Sequence, residues 1–429
     1  MKKSKFYLAL IIFSLVGQVA WVVENMYFNV FIYNMFNASA AEISMMVSAS
    51  AIAATVTTII MGALSDRLGK RKVFMCAGYI LWGLSIWSFA LIRMDVISAV
   101  FPATVSAASI GVTLVIVMDC VMTFFGSTAN DACFNAWLTD SADPQNRGAA
   151  EGINAMMPLV AILVVFGGFM CVDQGKADSW TLIFGVIGTA VLIIGILGIF
   201  LIQEPKLTPR KENYFANLIY GFRPSVVRKN PVLYGVLGAY GIFGIAINIF
   251  MPYLILYYTE GLGMDDYVLI FAPAIILAAA FTAVYGRIYD KRGFQKTVLP
   301  SLGLLLAGFA VLYFCKSTLP VFIGTLLMLC GYLSGMAVFG AMLRDKTPEN
   351  RAGMFQGQRI VGQVLLPGII GPAIGAAVLK NAETIINTDG TTSFIPNEKI
   401  FLAAFGVTVL LCLLLIPLFS LVKKEKVHE

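Results

Sequence analysis

The feature that most constrains this chain is its succession of apolar stretches, each long enough to cross a lipid bilayer. A membrane-spanning helix needs about 20 predominantly apolar residues. Only 13% of the 429 residues are charged, whereas soluble globular proteins carry about 25%. In lipid, backbone polar groups are satisfied only within helices or closed barrels. Because the alternating pattern of barrel strands is absent, the sequence predicts an all-α transmembrane fold.

Loops rich in charged residues divide the apolar stretches into twelve predicted helices. The predicted crossings are 6–33, 43–64, 73–92, 111–138, 152–172, 180–202, 232–258, 267–289, 298–315, 319–343, 359–379 and 399–422. An even number of crossings places both ends of the chain on one side of the membrane. We expect two pseudo-symmetric six-helix bundles, in residues 1–202 and 232–429, with a linker at 203–231 and a short C-terminal tail.

The region 96–138 is long enough for two crossings, and the basic residues decide between one and two. With one crossing there, 25 of the 30 Lys and Arg residues fall on the side of the N-terminus. Basic loops are retained on the cytoplasmic side, so the linker and both termini are predicted to be cytoplasmic, in a multi-pass protein of the cell membrane. Residues 96–110 then form an outer segment or extend the fourth helix. The net charge of +6 is explained by this topology and not by nucleic-acid binding.

The sequence predicts neither a cofactor nor a metal site. Its seven cysteines include no CxxC pair, and its one histidine, His428, lies in the tail, so metal-ligand spacing is absent. HExxH and GxSxG motifs are absent too, and we predict no catalytic residues and no enzyme activity. The expected partners are a small-molecule solute, a proton or another cation and the lipid bilayer, with no nucleic acid and with a monomeric protein.

The segment GALSDRLGKRK (62–72) lies between the second and third predicted helices. Its glycines allow a tight turn, and Asp66 is expected to accept hydrogen bonds at a helix N-terminus and to pair with Arg67. A degenerate copy, GRIYDKRGF (286–294), lies at the equivalent place in the second half, which indicates internal duplication. Six residues separate the glycines of the first copy, so the segment is not a phosphate-binding P-loop.

These two segments resemble the loop signature of the major facilitator superfamily. The resemblance implies the major facilitator fold and a conformational latch that holds the outward-facing state; a turn that only fixes topology is the alternative. The latch positions in this sequence are Gly62, Asp66, Arg67, Gly69, Asp290 and Arg292.

Within that superfamily, residues 124–147 and the stretch around SDRLGKRKVF are similar to the glycoside–pentoside–hexuronide:cation symporters and their sucrose-transporter-like relatives. Sodium-coupled members of that branch carry two aspartates on helix 2, where this chain has Thr55, Thr57 and Thr58. The difference favours proton coupling or uncoupled transport.

One face of the first helix is polar and aromatic. At 100° per residue, an arc of about 140° contains Gln18, Trp21, Glu24, Asn25, Phe28 and Asn29. Aromatic, amide and carboxylate groups suit a sugar, and an ionisable residue inside a membrane helix is usually functional. We predict that Trp21, Glu24, Asn25 and Asn29 bind the substrate and that Glu24 also couples an ion. An interhelical hydrogen-bonded seam is the alternative.

Further candidates lie on later helices. Asp119 and Asp131 of the fourth helix are predicted to couple an ion, although Asp131 is equally suited to a gate salt bridge or an interfacial position. Asn248 and Gln363 are predicted to bind the substrate. Arg359 binds a substrate anion, pairs with Asp131 or Glu24, or extends towards the membrane edge.

Together these patterns predict a secondary active transporter of a small polar solute, a sugar or glycoside, working by alternating access. An exporter of drugs or of another metabolite class is one alternative, and a non-transporting membrane receptor or scaffold is another.

Overall fold

The computed structural model describes residues 3–101, 106–141, 147–204, 222–347, 356–387 and 391–428. Within these ranges, twelve helices are long and apolar enough to cross a membrane, which confirms the predicted architecture. They are α1 (Ser4–Phe36), α2 (Ala40–Leu68), α3 (Lys72–Phe89), α4 (Ala107–Ser141), α5 (Gly152–Phe169), α6 (Ala177–Leu201), α7 (Pro231–Gly261), α8 (Tyr267–Arg292), α9 (Phe294–Phe314), α10 (Thr318–Lys346), α11 (Gly357–Leu379) and α12 (Lys399–Lys423). Two short helices, Met94–Val100 and Pro224–Lys229, and two paired strands, β1 (Thr384–Ile386) and β2 (Thr392–Phe394), lie between them.

Among its described residues, the region 96–138 contains one membrane-spanning helix. Met94–Val100 forms a separate short helix, and α4 begins only at Ala107, so the short helix is not an extension of α4. Residues 205–221 of the predicted linker lie outside the described residues.

The chain divides into two compact units, Met1–Glu212 with Ile386–Ser393 and Asn213–Ile385 with Phe394–Glu429. Each unit has an aromatic core of its own. In the first unit the core includes Phe28, Phe31, Phe89, Trp180 and Phe184. In the second it includes Phe250, Tyr257, Phe309 and Phe401.

Local chemistry fixes the turn between α1 and α2. Asn37 ends α1 in the left-handed conformation, with φ of 53°, which asparagine tolerates better than most residues. Ser39 begins α2 with a reciprocal capping box: its Oγ accepts from Glu42 N at 3.3 Å, and its own N donates to Glu42 Oε2 at 2.7 Å. The cap satisfies backbone donors that the first turn of a helix leaves unpaired.

Two glycines let α3 and α6 of the first unit pack backbone against backbone. A Cβ added to Gly83 would lie 2.6 Å from Leu192 N and 2.7 Å from the Gly188 carbonyl oxygen. Small residues at helix contacts in membranes allow this approach and the van der Waals packing that comes with it.

We therefore expect Gly83→Ala to destabilise the protein by about 1–3 kcal/mol, because the backbone of α6 must move to admit the methyl group. Gly185→Ala is the matched control, since its added Cβ would meet nothing closer than Trp87 at 3.8 Å. Thermal unfolding of the purified protein in detergent compares the two variants. Equal unfolding midpoints would contradict the proposed role of Gly83.

Candidate functional site

In the described part of the chain, four of the membrane-spanning helices contain a π-helical segment, where the backbone turn is wider than in an α-helix. The segments are Val23–Tyr27 in α1, Ser127–Phe134 in α4, Tyr257–Gly261 in α7 and Val361–Leu365 in α11. Such segments are rare and are frequent at functional sites. Several of the predicted site residues lie within or beside these segments.

Glu24, in the π segment of α1, belongs to a buried polar cluster of the first unit. Its side chain is 7% exposed, and its Oε1 accepts from Ser50 Oγ of α2 at 2.6 Å and from Thr123 Oγ1 of α4 at 3.0 Å. The two hydroxyl oxygens are 2.9 Å apart. Three helices thus contribute to this cluster, which joins the predicted Glu24 to Ser50, a residue that carried no signal in the sequence.

Asp119 of α4 is the second carboxyl group of this cluster. It is 2% exposed and interacts electrostatically with Glu24 and through a hydrogen bond with Ser50. Glu24 Oε2 and Asp119 Oδ1 are both buried without a hydrogen-bond partner in the described part of the chain. The described residues also place no Lys or Arg in an ion pair with either group. We define Glu24, Ser50, Asp119 and Thr123 as the acid cluster.

The two predicted asparagines of α1 serve the helix itself. Asn25 Nδ2 donates to the carbonyl of Trp21 at 2.7 Å, and Asn29 Nδ2 donates to that of Asn25 at 2.8 Å. Their side chains do not share one environment, because Asn25 is exposed and Asn29 is fully buried. The amides satisfy carbonyls beside the π segment, and Asn29 Oδ1 has no partner within the described ranges.

Trp21 begins a hydrogen-bonded chain through the first unit. Its Nε1 donates to Asn130 Oδ1 at 3.4 Å, Asn130 Nδ2 donates to Tyr79 OH at 2.7 Å, and Tyr79 OH donates to the Phe13 carbonyl at 2.8 Å. The indole also packs on Trp82, with ring centroids 4.9 Å apart. This chain fixes the orientation of Trp21, the aromatic residue predicted to contact a sugar.

Asp131 lies in the π segment of α4, apart from the acid cluster in its hydrogen bonding. Its Oδ2 accepts from Ser127 Oγ at 2.9 Å, and its carbonyl accepts from Asn135 Nδ2 at 3.1 Å. In the second unit, Asn248 Nδ2 donates to the Gly244 carbonyl at 2.9 Å within α7. Gln363 lies in the π segment of α11, where its Nε2 is buried without a partner among the described residues.

The segment 62–72 forms a charged cluster centred on Arg71, which is 6% exposed. The guanidinium donates to Asp66 Oδ1 and, at 3.2 Å, to Asp140 Oδ2 of α4, and its Nη1 donates to Ser65 Oγ at 2.5 Å. Burial alone would lower the pKa of Arg71, but the charges of Asp66 and Asp140 raise that pKa above its ordinary value. We define Ser65, Asp66, Arg71 and Asp140 as the Arg71 cluster.

Two predictions for this segment are wrong. The partner of Asp66 is Arg71, whereas Arg67 is exposed. Asp66 also lies in the last turn of α2 and not at a helix N-terminus. A carboxylate is unfavourable there because of the helix dipole, so it needs the arginine.

Glu204, which follows α6, accepts hydrogen bonds at the N-terminus of a helix, as was predicted for Asp66. Its carboxylate accepts from the backbone N–H of Arg71 and, at 3.2 Å, from that of Lys72, the first residue of α3. Gly69 makes the turn possible, because it adopts the left-handed conformation with φ of 61°. Gly62 lies inside α2 and accepts a hydrogen bond from Ser65 Oγ at 3.1 Å.

The copy of this segment in the second unit differs. Asp290 and Arg292 are exposed at the end of α8, and Gly293 ends the helix with φ of 72°. The neighbouring Tyr289 OH donates to Asp345 Oδ2 at 2.8 Å. A glycine with positive φ follows the helix in both copies, but its ψ is 28° at Gly69 and 175° at Gly293. The turn geometry therefore differs, and the buried arginine is not repeated.

The comparisons with known proteins agree with this architecture. The sequence profile of the Major Facilitator Superfamily matches residues 7–372. No curated protein matches the sequence significantly. Several solved structures share the fold at low sequence identity.

The nucleoside transporter NupG superposes with a TM-score of 0.70 at 14% identity, over 96% of this chain and 99% of that one. A D-xylose–proton symporter gives a TM-score of 0.75 at 15% identity, over 96% and 97%. The xylose transporter XylE from E. coli, in a partially occluded inward-open conformation, gives 0.68 at 14% identity, over 95% and 97%. The profile match spans most of the sequence, and the twelve-helix fold agrees with it: the chain belongs to the Major Facilitator Superfamily.

Proposed function

We propose that this protein is a proton-coupled secondary transporter, which moves a small polar solute such as a sugar or glycoside across the cell membrane by alternating access. Membership of the superfamily supports a transporter and not an enzyme. The similar structures include a nucleoside transporter and a D-xylose–proton symporter, which favours a polar solute over the amphipathic cargo of a drug exporter.

The acid cluster is the observation that carries the proposal. Two carboxyl groups buried side by side in a low-dielectric interior cannot both be ionised, because like charges repel and desolvation penalises each. The described residues supply no basic partner for either group. The pair therefore holds a proton, and release of that proton when the site meets water provides a coupling step.

Proton coupling is favoured over sodium coupling by the residues of α2. The turns of α2 where a sodium-coupled branch carries two carboxylates contain threonines in this chain. The buried hydroxyls of Thr55 and Thr58 have no hydrogen-bond partner within the described ranges. Hydroxyl groups alone supply no negative charge to a cation. The similarity of residues 124–147 to the glycoside–pentoside–hexuronide:cation symporters supports a transporter of that branch that is coupled to protons instead of sodium.

The remaining assignments follow from the same scheme. The bundles at 1–202 and 232–429 would alternate about the 203–231 linker, with the Arg71 cluster as the latch of the first half and Asp290 and Arg292 in that of the second. Because 25 of 30 basic residues fall on one predicted side, we place both termini in the cytoplasm. A monomer is sufficient for this mechanism.

Reconstitution in proteoliposomes tests the proposal directly. Labelled xylose, glucose, melibiose, uridine and the sugar acid glucuronate are offered under an inward-directed proton gradient, under a sodium gradient and under counterflow conditions without any gradient. We expect at least one solute to accumulate with the pH gradient, to lose accumulation with a protonophore and to retain counterflow. Accumulation that follows only sodium would contradict proton coupling, and failure of every solute in counterflow would contradict the solute class.

A further inference from the structure

A second group of buried polar side chains plays no part in the proposed proton step. It lies in the second unit, at the start of α11. Gln358 is 4% exposed, and neither atom of its amide group has a hydrogen-bond partner in the described part of the chain. Arg359 Nε and Gln363 Nε2 are likewise buried without partners there. Unpaired buried polar atoms are uncommon in folded proteins, so four such atoms on three residues within two turns of one helix indicate a missing partner.

A second basic residue adds to the positive potential around Arg359. Arg344 of α10 acts on it as a second positive charge, and its other interacting neighbour is Tyr240 of α7. The carboxylate nearest to Arg344 in sequence, Asp345, accepts from Tyr289 OH at 2.8 Å. No ion pair includes Arg359 within the described ranges. A half-buried guanidinium inside a membrane protein is unfavourable unless an anion balances it.

Two tyrosines give the site an aromatic wall. Tyr240 stacks on Phe339, with ring centroids 5.6 Å apart and planes inclined by 15°. Tyr332 of α10 stacks on Phe243 at 6.5 Å and 20°, and it interacts electrostatically with Tyr240. Both tyrosines are half-buried, and stacking restricts their rings, so their hydroxyl groups are held in place.

We propose that Arg359, with Tyr240, Tyr332 and the amides of Gln358 and Gln363, binds a carboxylate or phosphate group of the transported solute. The solute is then a hydroxylated anion and not a neutral sugar. Guanidinium groups bind both anions through two parallel hydrogen bonds, and amide and phenol groups suit the hydroxyls beside them. The inference rests on the proposed function, because it names the solute class of the same transporter.

A phospholipid headgroup offers the same chemistry, since Arg359 is only the third residue of α11. The two sources differ in their dependence on lipid. A solute anion binds in zwitterionic and in anionic vesicles alike, whereas a headgroup site prefers anionic lipid to phosphatidylcholine, whose phosphate is balanced by its own choline cation.

Thermal-shift binding and counterflow are measured with glucuronate, galacturonate and glucose 6-phosphate against glucose and galactose. Vesicles of phosphatidylcholine are compared with vesicles that contain phosphatidylglycerol. We expect at least one of the three anions to bind wild-type protein, and Arg359→Gln to weaken that binding at least tenfold. Arg359→Lys should restore part of the affinity, because it keeps the charge and loses the paired hydrogen bonds. The matched control is Arg287→Gln, at an exposed position on α8.

The solute assignment is overturned if no anion of the panel binds wild type more tightly than Arg359→Gln. It is also overturned if phosphatidylglycerol stabilises the wild type, Arg359→Gln removes that stabilisation, and the variant leaves the binding of all three solute anions unchanged. The anion at Arg359 is then a lipid headgroup. Counterflow needs no ion gradient. A wrong solute assignment therefore removes anion counterflow, whereas a wrong assignment of proton coupling leaves counterflow intact and removes only accumulation.

Discussion

Glu24→Gln is expected to abolish accumulation of solute under a pH gradient while leaving counterflow close to wild type. Glutamine has nearly the shape of glutamate and still offers an oxygen to the hydroxyls of Ser50 and Thr123, but it cannot release a proton. One unit of pH is worth about 1.4 kcal/mol per proton, so coupling to one proton sustains about tenfold accumulation. The variant should show none, and the ratio of internal to external label after equilibration measures the difference.

Two further variants make this result specific. Asp265→Asn removes a carboxylate from an exposed position between α7 and α8 and should accumulate solute as the wild type does. Asp131→Asn tests the third acidic candidate of the first unit separately, since Asp131 hydrogen-bonds with Ser127 and interacts with Glu24 only through its charge. Normal accumulation by Glu24→Gln would contradict the assignment, and loss in Asp131→Asn alone would transfer the coupling role to Asp131.

The fold follows from the sequence because every membrane crossing meets the same physical requirement. Each crossing must satisfy its backbone hydrogen bonds internally, and only a long apolar helix meets that requirement in this chain. The bias of Lys and Arg towards one predicted side was enough to decide that the region 96–138 crosses once. The structure agrees, with a separate helix at Met94–Val100 before α4.

The acid cluster was predictable only in part. Glu24 and Asp119 stand out because ionisable residues are rare in membrane helices. Their proximity to each other could not be predicted, because a regular projection at 100° per residue fails at the π segment of α1. Such a projection also says nothing about contacts between neighbouring helices. Ser50 is one small residue among many in α2, and only the contact with Glu24 identifies it.

The Arg71 cluster shows a different limit. Arg67 and Arg71 both follow Asp66 within five residues, and composition cannot choose between them. The left-handed turn at Gly69 reverses the chain, so that Arg71 faces back towards Asp66 and across to Asp140. Asp140 lies 69 residues beyond Arg71, and such a long-range contact leaves no local pattern.

Arg71→Ala is expected to give the largest loss of stability among the basic residues of this segment. Removing one partner of a buried ion pair costs about 3–5 kcal/mol, because the other charge stays buried and unpaired. The side chains of Asp66 and Asp140 are 27% and 25% exposed, and water offsets part of this penalty. We therefore expect about 2–3 kcal/mol, measured as a lower thermal unfolding midpoint in detergent.

Arg67→Ala is the matched control for that loss, because it removes the same group from an exposed position four residues earlier; an effect within about 0.5 kcal/mol is expected. Adding Asp66→Asn and Asp140→Asn to Arg71→Ala should recover part of the loss, since no uncompensated carboxylate then remains. Recovery would separate the electrostatic cause from lost packing, which the added asparagines cannot restore. Equal destabilisation by Arg67→Ala and Arg71→Ala would show instead that the positive charge of the whole loop matters, and not the buried contacts of Arg71.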